Sequence, residues 1–212
     1  MLVSDAFIRE VDEDLRQKQI NSLWKKYGKF IIGIAVGIIL LVSGRALYSS
    51  FIENKYIEQA NAFSNAVKLN GSEITAALGP VIASDVDGYE IVATFKKAEL
   101  ETAAKNIQAA VATLDQFIKS GTVDTVYKDI ANIQAAILEL DTVSSDVVRA
   151  RLSLILNGTS KFKYIANEIL ALSELRNDEV EAAILRLEAL VVDVETPAGV
   201  KNRADQYLSV IK

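Results

Sequence analysis

The run from Phe30 to Gly44, FIIGIAVGIILLVSG, carries no charged residue and constrains the chain more than any other feature. Arg45 interrupts it, and Ala46, Leu47 and Tyr48 follow. Taken from Tyr27 to Phe51, the stretch would span about 37 Å as a helix at about 1.5 Å per residue. A bilayer's hydrocarbon core needs about 20 residues. Isoleucine, leucine and valine occupy every face, whereas a core helix of a soluble domain keeps a polar stripe. Arg45 lies near one end, where its guanidinium can snorkel to the headgroups. Trp24, Tyr27 and Tyr48 stand where an aromatic belt belongs. Residues 30–51 are therefore expected to cross a membrane. Val42-Ser43-Gly44 has the small-residue form of a cleavage site, but the residues before the run include Asp5, Glu10, Asp12, Glu13 and Asp14. A signal peptide opens short and basic, so an uncleaved anchor is the better reading.

Lysine and arginine set the expected orientation. Arg9, Arg16, Lys18, Lys25, Lys26 and Lys29 precede the span, and beyond Arg45 only Lys55 follows closely. The positive-inside bias puts residues 1–29 in the cytoplasm and residues 52–212 across the membrane. Gly33 and Gly37, one turn apart, would let a second helix approach closely, and self-association through them is open.

In the tail, Phe7, Ile8, Val11, Leu15, Ile20 and Leu23 recur at helical spacing. An amphipathic helix is expected, with Ser4 or Asp5 as its N-cap and acids in its first turn. The cluster Glu10, Asp12, Glu13 and Asp14 is read as a solvated face, not a metal site. Cysteine and histidine are both absent. That excludes disulfides, thiolate and imidazole metal sites, cysteine nucleophiles and histidine-based triads. A formal net charge of −5 argues against a nucleic-acid partner. No cofactor is expected.

The remainder is alanine-rich and helical in pattern. Turn signals recur at Asn70-Gly71, Asp87-Gly88, Ser120-Gly121, Asn157-Gly158 and Thr196-Pro197. The first and fourth of these also match glycosylation acceptors and are read as turns. An internal register emerges on Ala62, Ala98, Ala136 and Ala171. Sixteen residues after each comes a leucine: Leu78, Leu114, Leu152 and Leu187. Four residues later stands Ile82, Ile118, Leu156 or Val191. Twelve residues after the anchor stand Ile74, Ala110, Val148 and Ala183. A small residue on one helix lets the next pack closely, and the two aliphatics share one face of that next helix. Such hairpins bury their apolar surface only by stacking. The fold class expected is all-α, one transmembrane helix followed by a helical-hairpin solenoid. Gly199 to Ile211 would be a capping helix, with Lys201, Asn202, Arg203 and Asp205 facing water.

These units resemble tetratricopeptide repeats. Ala98 with Ala110, and Ala171 with Ala183, fit the family's pair of small residues. Ala62 and Ala136 fit only the first position, and most of the aromatic and glycine signature is missing. The tail motif FIREVDEDLR, the LWKKYG stretch, FKKAEL at Phe95 to Leu100 and the ETP near the end resemble the family of the ancillary SecYEG translocon subunit, YfgM. That resemblance implies an inner-membrane protein with a periplasmic repeat domain. It implies association with the protein-export translocon and with periplasmic chaperones or emerging, unfolded polypeptide, and no catalysis.

In a repeat array the first helices line the concave face. Counted from the anchors, that face would carry Tyr56, Gln59, Phe63, Phe95, Glu99, Ile133, Ile137, Glu168 and Leu172. It could hold an extended chain or a partner's helix, while each residue could equally pack on a neighbouring repeat. An envelope-assembly or cell-division scaffold would have the same architecture. An enzyme working with carboxylates alone would draw on Glu99 and Glu101, or on Asp178, Glu179 and Glu181. Carboxylates on a helix are more often simply solvated.

Overall fold

The computed structural model describes residues 2–84, 86, 88–120 and 123–211, with side chains from Arg16 onward apart from residue 19. The chain divides into two compact units after Tyr56.

The first unit belongs to α1 (Leu2–Ala66), one continuous helix. It starts at Leu2, so Ser4 and Asp5 lie inside it and do not cap it. No proline or glycine before Gly28 stops the helix from propagating through them. The apolar side chains before Ile20 and the cluster Glu10 to Asp14 lie outside the described side chains. Beyond the expected span the helix runs on to Ala66, because no proline or glycine occurs between Gly44 and Gly71. One helix here is long and apolar enough to cross a membrane. Its most apolar stretch has a mean hydropathy of 2.3, and none of it is buried. Nothing lies within 4 Å of where a Cβ would stand on Gly33 or Gly37.

The second unit is a row of helices: α2 (Ser72–Ile82), α3 (Tyr89–Ala103), α4 (Ile107–Lys119), α5 (Thr125–Glu139), α6 (Ser145–Asn157), α7 (Lys163–Arg176), α8 (Val180–Val192) and α9 (Ala198–Ile211). From α2 onward, each packs on the next in sequence. In addition α5 touches α7 and α7 touches α9, so first helices of successive hairpins lie side by side. This is the stacked-hairpin order of a solenoid.

The register on the anchor alanines organises the core. Ala98, Ala136 and Ala171 are fully buried, as are Leu78, Leu114, Leu152 and Leu187. Leu152 sits with Ala136, Val148, Ile155, Ala166, Ile169 and Leu170 between the third hairpin and α7. The first hairpin is thinner. Only the end of α1 takes part, where Ala62, Phe63 and Ala66 meet Ile74, Leu78, Val81 and Ala93. Pro80 lies inside α2, which ends two residues later at Ile82. Its missing N–H leaves one helical hydrogen bond unmade.

At the other end, Ala204 is fully buried, 33 residues beyond Ala171. Helix α9 thus takes the place of the first helix of a fifth unit. Its Arg203 does not simply face water as expected. Nε and Nη2 each lie 2.6 Å from the Glu168 carboxylate on α7.

Two hairpin turns carry no sequence signal. Lys105 and Asp178 adopt φ of 60° and 61°. In the first, the Lys105 N–H donates to the Thr102 carbonyl and the Asn106 N–H to the Glu101 carbonyl. In the second, the Asp178 and Glu179 N–H groups donate to Leu175 and Glu174 in the same pattern. Both are Schellman closures with a side-chain-bearing residue at the position that favours glycine. Both side chains are exposed. A left-handed conformation costs a residue with a Cβ about 1 kcal/mol. Lys105→Gly and Asp178→Gly should therefore each raise stability by about that amount, seen as a higher urea midpoint at unchanged slope. A lower midpoint in both would contradict this account. Gly158 is glycine for another reason, since a Cβ there would stand 2.5 Å from the Leu154 carbonyl oxygen.

A second periodicity, of polar pairs, accompanies the apolar one. Three residues after the anchors stand Glu101, Glu139 and Glu174, and each meets a group twelve residues on. Thr113 Oγ1 donates to Glu101 at 2.7 Å. Arg151 donates to Glu139 at 2.7 and 3.0 Å. Arg186 donates to Glu174 at 2.8 and 3.0 Å. Each pair clamps the two helices of its hairpin. Arg151 also reaches Asp115 on the preceding hairpin at 2.6 Å, and Arg149 reaches Glu174 on the following one at 3.0 Å. Burial alone would lower the Arg151 pKa, but the hydrogen bonds and charges of Asp115 and Glu139 outweigh it and raise the value.

Candidate protein-interaction surface

The residues expected on the concave face fall into two columns, and the structure treats them differently. One stands three residues before each anchor: Gln59, Phe95, Ile133 and Glu168. The other stands one residue after: Phe63, Glu99, Ile137 and Leu172. Residues four apart share a helix face, but the leading edge of that face is less exposed than the trailing edge.

The leading column turns inward, into the packing of the helices. The Phe95 ring meets Phe117 at 5.7 Å, edge to face, and packs on Ala98, Ala110 and Leu114. Ile133 packs against the third-hairpin core. Glu168 is only 5% exposed and its carboxylate is taken by Arg203. Glu168 is thus a corrected member of the face: it ties α7 to α9 and does not present an open acid.

The trailing column stays more open. The Glu99 side chain is 63% exposed and Ile137 is 50% exposed. Phe63 and Leu172 are half-buried. Phe63 meets the Tyr89 ring at 6.4 Å. Tyr56 is exposed and is the last residue of the first unit.

Three of the expected residues come together. Phe63, Phe95 and Glu99 share a recess of about 470 Å³ with Ile91, Val92, Lys96 and Gln134. Val92 is 50% exposed and forms an apolar wall. Lys96 Nζ lies 3.0 Å from Glu99 Oε1, so the acid is locally balanced. The recess is apolar at its base and holds a weakly bound ion pair at its rim, because exposed pairs of this kind contribute about 0–1 kcal/mol. Chemically this suits a hydrophobic side chain of a partner with a polar neighbour. Ile133, Ile137 and Leu172 do not join that recess.

A second recess of about 480 Å³ opens between α6, α7 and α8, lined by Arg149, Ser153, Asn157, Lys163, Asn167 and Arg186 among others. The anchor counting does not reach it, since most of its lining stands on the second helices α6 and α8. Its two guanidiniums are held by Glu174.

Two of the acids considered for catalysis are engaged elsewhere. Glu101 accepts from Thr113, and Glu179 Oε1 accepts from the Ser145 hydroxyl at 2.5 Å. Asp178 forms the α7–α8 turn. Among the described residues no group of acids is placed to hold a metal ion.

The family model of the tetratricopeptide repeat-like domain matches residues 21–169. No curated protein and no solved structure matches the chain. The matched stretch takes in the apolar part of α1 and the hairpins through α6, and the same packing continues beyond it through α8. Domains of this kind mediate protein–protein interactions. By its stacked hairpins, its anchor register and this match over most of its length, the chain belongs to the tetratricopeptide repeat-like domain family.

Proposed function

We propose that this protein is a membrane-anchored interaction module of the protein-export machinery. Residues 30–51 span the bacterial inner membrane, residues 1–29 are cytoplasmic, and the repeat domain from residue 52 onward is periplasmic. Beside the translocon, the repeat domain holds a periplasmic chaperone or an emerging, unfolded polypeptide. The observation that carries this reading is a wholly unburied apolar stretch on the same chain as a repeat domain with an open apolar recess. The tail and pre-span motifs point to the translocon in particular.

The recess at Phe63, Phe95 and Glu99 is the proposed contact, with Ile137 and Leu172 extending the face. Gly33 and Gly37 are proposed to meet a neighbouring membrane helix. The test is a photo-crosslinker placed at Val92, and a second at Gly37, in the full chain at native expression. Adducts to translocon subunits from Gly37, and to chaperones or nascent chains from Val92, are expected. Adducts to division or peptidoglycan proteins instead would replace the export reading with that of an envelope scaffold. Val92→Glu puts a charge in the apolar wall without touching the core. With the crosslinker moved to Glu99, it should lower adduct yield at least about tenfold, the effect of losing a central contact. Unchanged yield would place the contact elsewhere.

A further inference from the structure

Between Arg16 and Lys29 stand five basic residues, and no aspartate or glutamate occurs from Leu15 to Ile52. From Lys18 onward the helix sorts this segment into two faces. Lys18, Lys25 and Lys29 fall on one stripe, with Ser22 between them and Lys26 alongside. Ile20, Leu23, Trp24 and Tyr27 follow the i, i+3, i+4, i+7 pattern on the opposite side. All four apolar side chains are open, at 56%, 57%, 57% and 46% exposure. The lysines are exposed as well. The Trp24 indole lies along its own helix over Gly28, where a Cβ would come within 3.4 Å of the ring. Lys26 Nζ lies 5.3 Å from the centroid of the Tyr27 ring.

Lys25, Lys26 and Lys29 lie within about 8 Å of the start of the apolar run at about 1.5 Å per residue. That is the depth of a headgroup layer. We propose that this segment is an anionic-phospholipid site. Lys18, Lys25, Lys26 and Lys29 gather phosphate-bearing headgroups, while Leu23, Trp24 and Tyr27 lodge at the boundary with the acyl chains. The occupant follows from charge complementarity and position. A basic stripe with no acid in the segment from Leu15 to Ile52, joined directly to the span, faces lipid phosphates at their highest local concentration. Each lysine near such a surface favours it by roughly fivefold. The proposal rests on the reading of residues 30–51 as a membrane span.

Trp24 is the single tryptophan, so it reports on its own surroundings. The full chain is reconstituted in phosphatidylcholine vesicles with a minor fraction of phosphatidylglycerol, and bromine is carried by one lipid or the other. Brominated phosphatidylglycerol should quench Trp24 about threefold or more per molecule than brominated phosphatidylcholine. The excess should shrink with added salt. It should vanish when Lys18, Lys25, Lys26 and Lys29 are changed to glutamine, while quenching by brominated phosphatidylcholine persists and shows that the variant is still inserted. Equal quenching by the two lipids in the unaltered chain overturns the proposal and leaves the basic face to an acidic protein partner. Quenching by neither lipid overturns the membrane-span reading itself.

Discussion

Glu174→Ala should destabilise the repeat domain by about 3–5 kcal/mol, the cost of leaving buried charge without its partner. Glu174 has no exposed surface. Its oxygens accept from Arg186 on α8 and Arg149 on α6, so one carboxylate fastens three helices. Without it, the Arg186 side chain, 22% exposed, is left with the neutral Asn167 Oδ1 at 2.9 Å. The cost belongs to the uncompensated charge and not to the net worth of the pair. Replacing Glu174, Arg149 and Arg186 together with apolar residues of similar volume should therefore recover most of the loss. Urea unfolding followed by far-ultraviolet circular dichroism measures both variants.

The equivalent acids should follow a graded order. Glu139→Ala leaves Arg151 with Asp115 still 2.6 Å away and should cost less than Glu174→Ala. Glu101 meets a neutral hydroxyl and, at 3.9 Å, Lys97, so its removal should cost least of the three. Glu99→Ala, at the rim of the apolar recess, should change stability by less than about 1 kcal/mol. A Glu101 variant as damaged as the Glu174 variant would contradict the dependence on burial and charge.

The apolar part of this architecture was legible because it repeats. The leucines sixteen residues after each anchor are all buried, since burial in a stack is decided by the same face in each hairpin. The polar clamps repeat at the same spacing, from Glu101 to Glu139 to Glu174, yet a lone acid on a helix reads as solvated. Only its pairing twelve residues on, with Thr113, Arg151 or Arg186, marks it as inward. Glu168 misled for the same reason: its offset matches Phe95 and Ile133, and its partner Arg203 lies 35 residues away in a different helix. The turns at Lys105 and Asp178 were hidden because the left-handed residue is not glycine. The continuity of α1 to Ala66 was hidden because hydropathy ends at Phe51 while helix propensity does not. For the recess, counting from the anchors found Phe63, Phe95 and Glu99. It does not reach Ile91 and Val92, one turn before Phe95 and Lys96 on the same helix, or Gln134, whose approach depends on how α3 and α5 are set side by side.

A chain ending at Asp193, without α9, should lose stability, because apolar side chains that α9 covers become exposed to water. Half of the last core cluster comes from α9: Val200, Ala204 and Leu208 pack on Ala171, Leu187 and Leu190. Removing them opens Leu187, which is fully buried in the whole chain. It also strips Arg203 from Glu168, so an acid that is 5% exposed loses its counter-charge as a new apolar surface appears beside it. Because each hairpin holds mainly its neighbours, the damage should fade along the row. Hydrogen exchange should show protection lost first in α7 and α8 and retained in α3 and α4, with increased binding of an apolar dye at the truncated end. Arg203→Ala should reproduce only the electrostatic share, a smaller fall in stability with little dye binding. Uniform loss of protection from α3 to α8 would mean that the row folds as one cooperative block that includes α9.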